Sequence, residues 1–158
     1  MQDARTFINW FLRDLRGLAF LGASLAIIIF SLVSVLALLF EIEPPQTHSE
    51  PRATLQKILM VILLGPFVET LIIAALIRPF LRFDRLIISI ALGIVLGILH
   101  GMLKGFPGYF TIAGLSACVL VLHIGWVESG AWIGIKRSFT LHAMYNAVLV
   151  IGTYVFPE

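Results

Sequence analysis

The chain has 158 residues, 59% of them hydrophobic and 13% charged, with a mean hydropathy of +1.01. So apolar a composition excludes an ordinary soluble domain of this length and describes a single all-α, polytopic membrane domain of about five spans of about 20 residues each. The formal charge of +2 and the pI near 9.0 come from basic residues flanking the apolar runs, which gives a nucleic-acid partner no basis.

Along residues 1–16, Phe7, Ile8, Phe11, Leu12 and Leu15 recur at helical spacing opposite Arg5, Arg13, Asp14 and Arg16, the pattern of a short interfacial helix. The membrane domain follows over 17–158. Its first run, 17–40, is too long for a signal-peptide core and has no small-residue cleavage pattern after it, so it is expected to stay as span one. The acidic, proline-containing segment 41–53 reads as an exposed loop, and His48 and Glu50 within it have no fixed geometry for a metal.

Span two is expected over 55–77, closed by the basic turn RPFLRFDR with Arg78, Arg82 and Arg85. Span three covers 86–103 and ends at the break GFPGY; span four covers 110–127 and span five 132–155. Cys118, the lone cysteine, excludes an intrachain disulfide or a cysteine-rich metal site and reads as a small buried residue of span four. Trp126 and Trp132 read as interface anchors, Lys136 and Arg137 as snorkelling or orienting charges, and His123 as structural. Arg5, Arg13, Arg16, the three arginines of the second turn, Lys136 and Arg137 all fall on one side, against Arg52, Lys57 and Lys104 on the other. The positive-inside rule then makes the N-terminus cytoplasmic and the C-terminus extracytoplasmic, with the plasma membrane as the expected location.

Three polar side chains interrupt the apolar runs: Glu69 in span two, His100 in span three and His142 in span five. An acidic group near the middle of a bilayer costs about 2.5–3.5 kcal/mol on insertion scales, a cost that a plain anchor has no use for. Measured from the cytoplasmic ends at 1.5 Å per residue, Glu69 lies about 12 Å deep, His142 about 15 Å and His100 about 21 Å, depths that ordinary helix tilt can reconcile. Small residues mark close packing beside them: Gly93, Gly97 and Gly101 on span three, and Gly130, Gly134 and Ser138 leading to His142 and Asn146 on span five. Pro66 after Gly65 is expected to open a new half-helix, with Glu69 near its exposed amide groups. Each polar residue taken alone also reads as interhelical hydrogen-bonding glue; the three together are a parts list for activating water.

Pro66-x-x-Glu69, a span ending in His100, and His142-x-x-x-Asn146 preceded by SGAWIGI resemble the motifs of the CAAX-protease and bacteriocin-processing (CPBP, or Abi) family of intramembrane proteases. The resemblance covers about residues 55–150. It implies that Glu69 and His100 hold and deprotonate the attacking water, and that His142 and Asn146 stabilise the oxyanion of the tetrahedral intermediate. Thr70 stands where that family has a second glutamate, Ala74 where it has arginine, and Leu96 where it has phenylalanine. Loss of the Glu and Arg together is charge-balanced.

The activity expected from these residues is hydrolysis of a peptide bond by a glutamate-activated water, with no covalent intermediate and no cofactor, on a peptide or membrane-protein substrate among membrane lipids. Ser116 and Ser138 have no triad context and read as packing residues. Zinc held by Glu69, His100 and His142 is the catalytic alternative, ranked lower because no H-E-x-x-H helix is present. The non-enzymatic alternative is an inactive relative acting as a membrane scaffold, a maturation partner or a bacteriocin self-immunity protein.

Overall fold

A computed structural model describes residues 14–39, 55–104 and 108–155. Every regular element among them is helical. Helix α1 is Leu15–Leu39, followed by α2 (Leu55–Leu59), a π-helical turn (Met60–Leu64) and α3 (Gly65–Ile77), which run on as one rod. Beyond the 3-10 turn Arg78–Phe80 come α4 (Arg85–Lys104), α5 (Gly108–Ser129) and α6 (Ala131–Val155). Five long helical bodies thus occupy the five apolar runs. The expected interfacial helix over 1–16 lies outside the described residues up to position 13, as do the loop with His48 and Glu50 and part of the GFPGY break.

Aspartates fix two of the helix starts. Asp14 Oδ1 accepts the Arg16 amide at 3.0 Å, and Asp84 Oδ1 accepts those of Leu86 at 2.9 Å and Ile87 at 3.0 Å, satisfying amides that have no intrahelical acceptor. Pro79 ends the α3 rod in its 3-10 turn, and His123 Nε2 donates to the Leu81 carbonyl at 3.0 Å, tying the turn to α5. That bond gives His123 a part in packing the turn against α5. Between α5 and α6 only Gly130 is non-helical, at φ 94°, a left-handed cap that a residue with a Cβ adopts only under strain.

Among the described residues, Met60–Phe80, Arg85–Met102 and Thr111–Ser129 are long and apolar enough to cross a membrane. Helices α1 and α6, each of 25 residues, reach about 37 Å by length. The protein is a membrane protein of all-α class. Large apolar side chains such as Phe20, Ile87, Ile94 and Met102 point outward, which suits hydrocarbon and not water.

Helix α5 is the axis of the bundle: its apolar stretch is 44% buried, against 17% for α4. One face packs Leu115, Val119 and Leu122 against Ile73, Ala74 and Ile77 of α3, and another packs Cys118 and Val121 against Leu18 of α1 and Leu141 of α6. The glycine stripe of α4 meets α5 directly, since a methyl group at Gly93 would overlap Ser116 and one at Gly97 would overlap Ile112. Thr111 Oγ1 reinforces that contact with a 3.0 Å hydrogen bond to the Gly97 carbonyl. Helix α6 meets α5 through Gly134 against Gly125 and through Ser138 Oγ, which donates to the Cys118 carbonyl at 2.9 Å. Both serines pack helices.

The two tryptophans and Arg137 settle in different surroundings. Trp126 packs against the α3–α5 cluster, whereas Trp132 is exposed and lies beneath the Lys136 ammonium at 5.4 Å. Arg137 is only 7% exposed, its stem lying beside Gly125. A missing side chain there gives the long arginine stem room to bury.

Candidate functional site

The α3 rod packs against α5 and α6, with Ile88, Leu92 and Leu96 of α4 against the same α3–α5 cluster, and the polar residues meet where the rod, α4 and α6 approach one another. Glu69 Oε2 lies 3.4 Å from His142 Nε2 and Glu69 Oε1 lies 3.8 Å from His100 Nδ1, so one carboxylate from α3 stands between imidazoles from α6 and α4. Both separations are looser than direct hydrogen bonds. The Glu69 side chain is 27% exposed and that of His100 23%, while that of His142 is 7%, so the carboxylate is reached from one side and backed on the other. Helical spacing explains the convergence: the α6 stripe of Gly134, Ser138, His142 and Asn146 repeats every four residues and lays its small members on α5 and its polar members on the α3 rod.

Pro66 does not start a half-helix. Leu64 and Gly65 both keep right-handed helical angles, and the backbone passes through the π turn without opening, so Glu69 sits in a continuous helix instead of beside exposed amides. Asn146, expected beside His142 as an oxyanion donor, points its amide at that turn: Nδ2 donates to the Val61 carbonyl at 3.2 Å. Thr70 and Ala74 turn inward, 0% and 4% exposed, towards the α3–α5 core.

Each imidazole faces a different oxygen of Glu69, so the three groups are strung along the carboxylate. Among the described residues no group of three His, Cys, Asp or Glu side chains is placed to hold a metal ion. Next to the site, a largely apolar open pocket of about 640 Å³ runs along the rod from Gln56 and Leu59 to Phe67, with Phe139 of α6 on its other side. Phe67 and Phe139, both lining it, meet edge to face with ring centroids 5.8 Å apart.

Comparison with protein-family models, curated proteins and solved structures returns no match. The arrangement must be read from its own chemistry. A carboxylate within reach of water, flanked by two imidazoles in a largely apolar setting, can accept a proton, orient the resulting nucleophile and donate an N–H to a developing negative charge.

Proposed function

We propose that the chain is an intramembrane endopeptidase of the glutamate type, resembling the CPBP family, that cleaves a peptide or a membrane-protein segment. The observation that carries this reading is the meeting of Glu69, His100 and His142 from three different helices around one carboxylate. Packing alone has no use for three polar groups at the same depth, since each costs insertion energy and small residues already join these helices. In the reaction, Glu69 takes a proton from water as the water oxygen bonds the scissile carbonyl carbon. His100 orients the water, and His142 donates an N–H to the oxyanion. Collapse of the tetrahedral intermediate breaks the C–N bond, and Glu69 returns its proton to the leaving amine.

The test uses the protein in lipid vesicles with transmembrane peptide substrates in H₂¹⁸O. New carboxyl termini carrying one ¹⁸O, formed by the wild type and lost in Glu69→Gln with unchanged membrane insertion, are expected. Cleavage that survives Glu69→Gln would sink the assignment.

The second reading is an inactive relative acting as a scaffold, a maturation partner or a bacteriocin self-immunity protein. Favouring it, Thr70 and Ala74, where the resembling family carries Glu and Arg, are buried among apolar side chains with no room for an ion pair. In either reading the arginine-rich turn and the start of α6 lie on the cytoplasmic side of the plasma membrane, with the N-terminus, and the C-terminus lies outside.

A further inference from the structure

Pro66 has no amide hydrogen, so one carbonyl upstream of it must lose its helical partner. In an unbroken α-helix that carbonyl belongs to Ile62. Here the Gly65 amide bonds the Met60 carbonyl, one residue further back than in an α-helix, and Met60–Leu64 takes the π register. With the ladder shifted by one, the carbonyl facing the missing hydrogen is that of Val61. This is the oxygen to which Asn146 Nδ2 donates at 3.2 Å.

The shift also changes where Glu69 points. Two residues eight apart in a continuous α-helix differ by about 80° in direction, but a π turn absorbs one residue, and the remaining seven steps bring Val61 and Glu69 within about 20° of each other. The Val61 carbonyl and the Glu69 carboxylate then both meet α6, where Asn146 and His142, one turn apart, receive them in antiparallel order.

We infer that Asn146 is a positioning residue: its amide supplies the donor that Pro66 lacks, holds the π turn, and so keeps Glu69 turned toward His142. The lock itself stands on backbone geometry, while its consequence for turnover rests on the hydrolytic reading above. Without the Asn146 donor the Val61 carbonyl is left unpaired, and the rod relieves that loss by reverting to the α register. That reversion swings Glu69 by about 100° relative to α2.

The experiment is a double-mutant cycle of Asn146→Ala and Pro66→Ala in the full chain in lipid, read by amide hydrogen exchange over residues 59–70 and by hydrolysis of a transmembrane peptide. Asn146→Ala should raise exchange around the π turn about tenfold or more and lower kcat with little change in KM. Pro66→Ala restores an amide at position 66, so adding Asn146→Ala to it should change neither readout further. A rise in exchange of the same size in both backgrounds, or none in either, would overturn the inference. So would a kcat loss that is equal in both backgrounds with exchange unchanged, the mark of an oxyanion donor. Should Pro66→Ala fail to fold, Asn146→Gln, which keeps an amide donor, must exchange like the wild type while the isosteric Asn146→Leu exchanges faster; equal behaviour of the two overturns the lock. Hydrolysis absent from every variant would sink the protease reading and leave the exchange cycle to decide the lock by itself.

Discussion

Thr70 shows how far a single side chain departs from what a motif implies. It follows Glu69 directly, yet it is 0% exposed, and its hydroxyl meets no hydrogen-bond partner among the described residues. A buried hydroxyl without a partner costs about 1–3 kcal/mol, so the near-isosteric Thr70→Val is expected to stabilise the fold by about 1 kcal/mol in detergent unfolding titrations, with turnover retained. A loss of stability in that variant would mean that the hydroxyl is paired. Rebuilding the family's ion pair as Thr70→Glu with Ala74→Arg should do the opposite. Ala74 belongs to the cluster with Ile73, Ile77, Leu115, Val119 and Leu122, and a charge pair placed there loses more hydration than its attraction returns, so the folded yield falls. Glu69, His100 and His142 were legible in the sequence because hydrocarbon makes every polar side chain stand out. Asn146 was legible as a polar neighbour of His142 but not as a partner of Val61. That pairing depends on a backbone register set inside the run Met60–Leu64, where each side chain is apolar and no polar residue signals the shift.

Among the helices, backbone approach does the work that hydrophobic burial does in water. Gly134 is the clearest case, since a Cβ there would lie 2.7 Å from the Leu122 carbonyl oxygen and 2.8 Å from the Trp126 nitrogen, atoms of α5 that cannot step aside. Gly134→Val should force α5 and α6 apart and cost about 1–3 kcal/mol, detectable as a lower midpoint in SDS unfolding, and should also withdraw His142 from Glu69 two turns further on. Gly130→Ala separates the two roles that glycine has in this hairpin. Nothing lies within 4 Å of its missing Cβ, so its cost comes from the positive φ alone, about 1 kcal/mol. Equal effects at both positions would contradict the packing account. The four-residue spacing of small residues announced these contacts, whereas the capping by Asp14 and Asp84 emerged only in the structure, since in sequence Asp14 reads as part of the polar face of a helix over 1–16. What spacing could not reveal is partner choice: the stripe of α6 meets α5 in its first half and the α3 rod in its second, a division fixed by the crossing of helices and not by either sequence alone.

For the whole molecule the decisive quantity is which end of the bundle holds the positive charge. Antiparallel contacts of α4 with α5, α5 with α6, and α6 with the α3 rod put the turn after α3, the start of α4, the end of α5 and the start of α6 at one end. Arg78, Arg82 and Arg85 are exposed there, Arg82 lying over the Phe83 ring at 5.2 Å, and Lys136 with Arg137 joins them. Sequence alone assigned these residues to one side by counting spans; the tie between His123 and the Leu81 carbonyl makes the same grouping a matter of contact. Acidic residues Asp84 and Glu128 share that end, but retention of loops on the cytoplasmic side follows lysine and arginine far more than net charge. A reporter inserted near Asp84 should therefore be cytoplasmic and one fused after Glu158 extracytoplasmic. Replacing Arg78, Arg82 and Arg85 by glutamine should weaken that preference and yield a mixed population, because only Lys136, Arg137 and the arginines near the N-terminus then remain to hold the orientation. An extracytoplasmic reporter at Asp84 in the wild type would invert the bundle and turn the accessible side of Glu69 toward the opposite leaflet, so that any substrate would have to reach the site from the other face of the membrane.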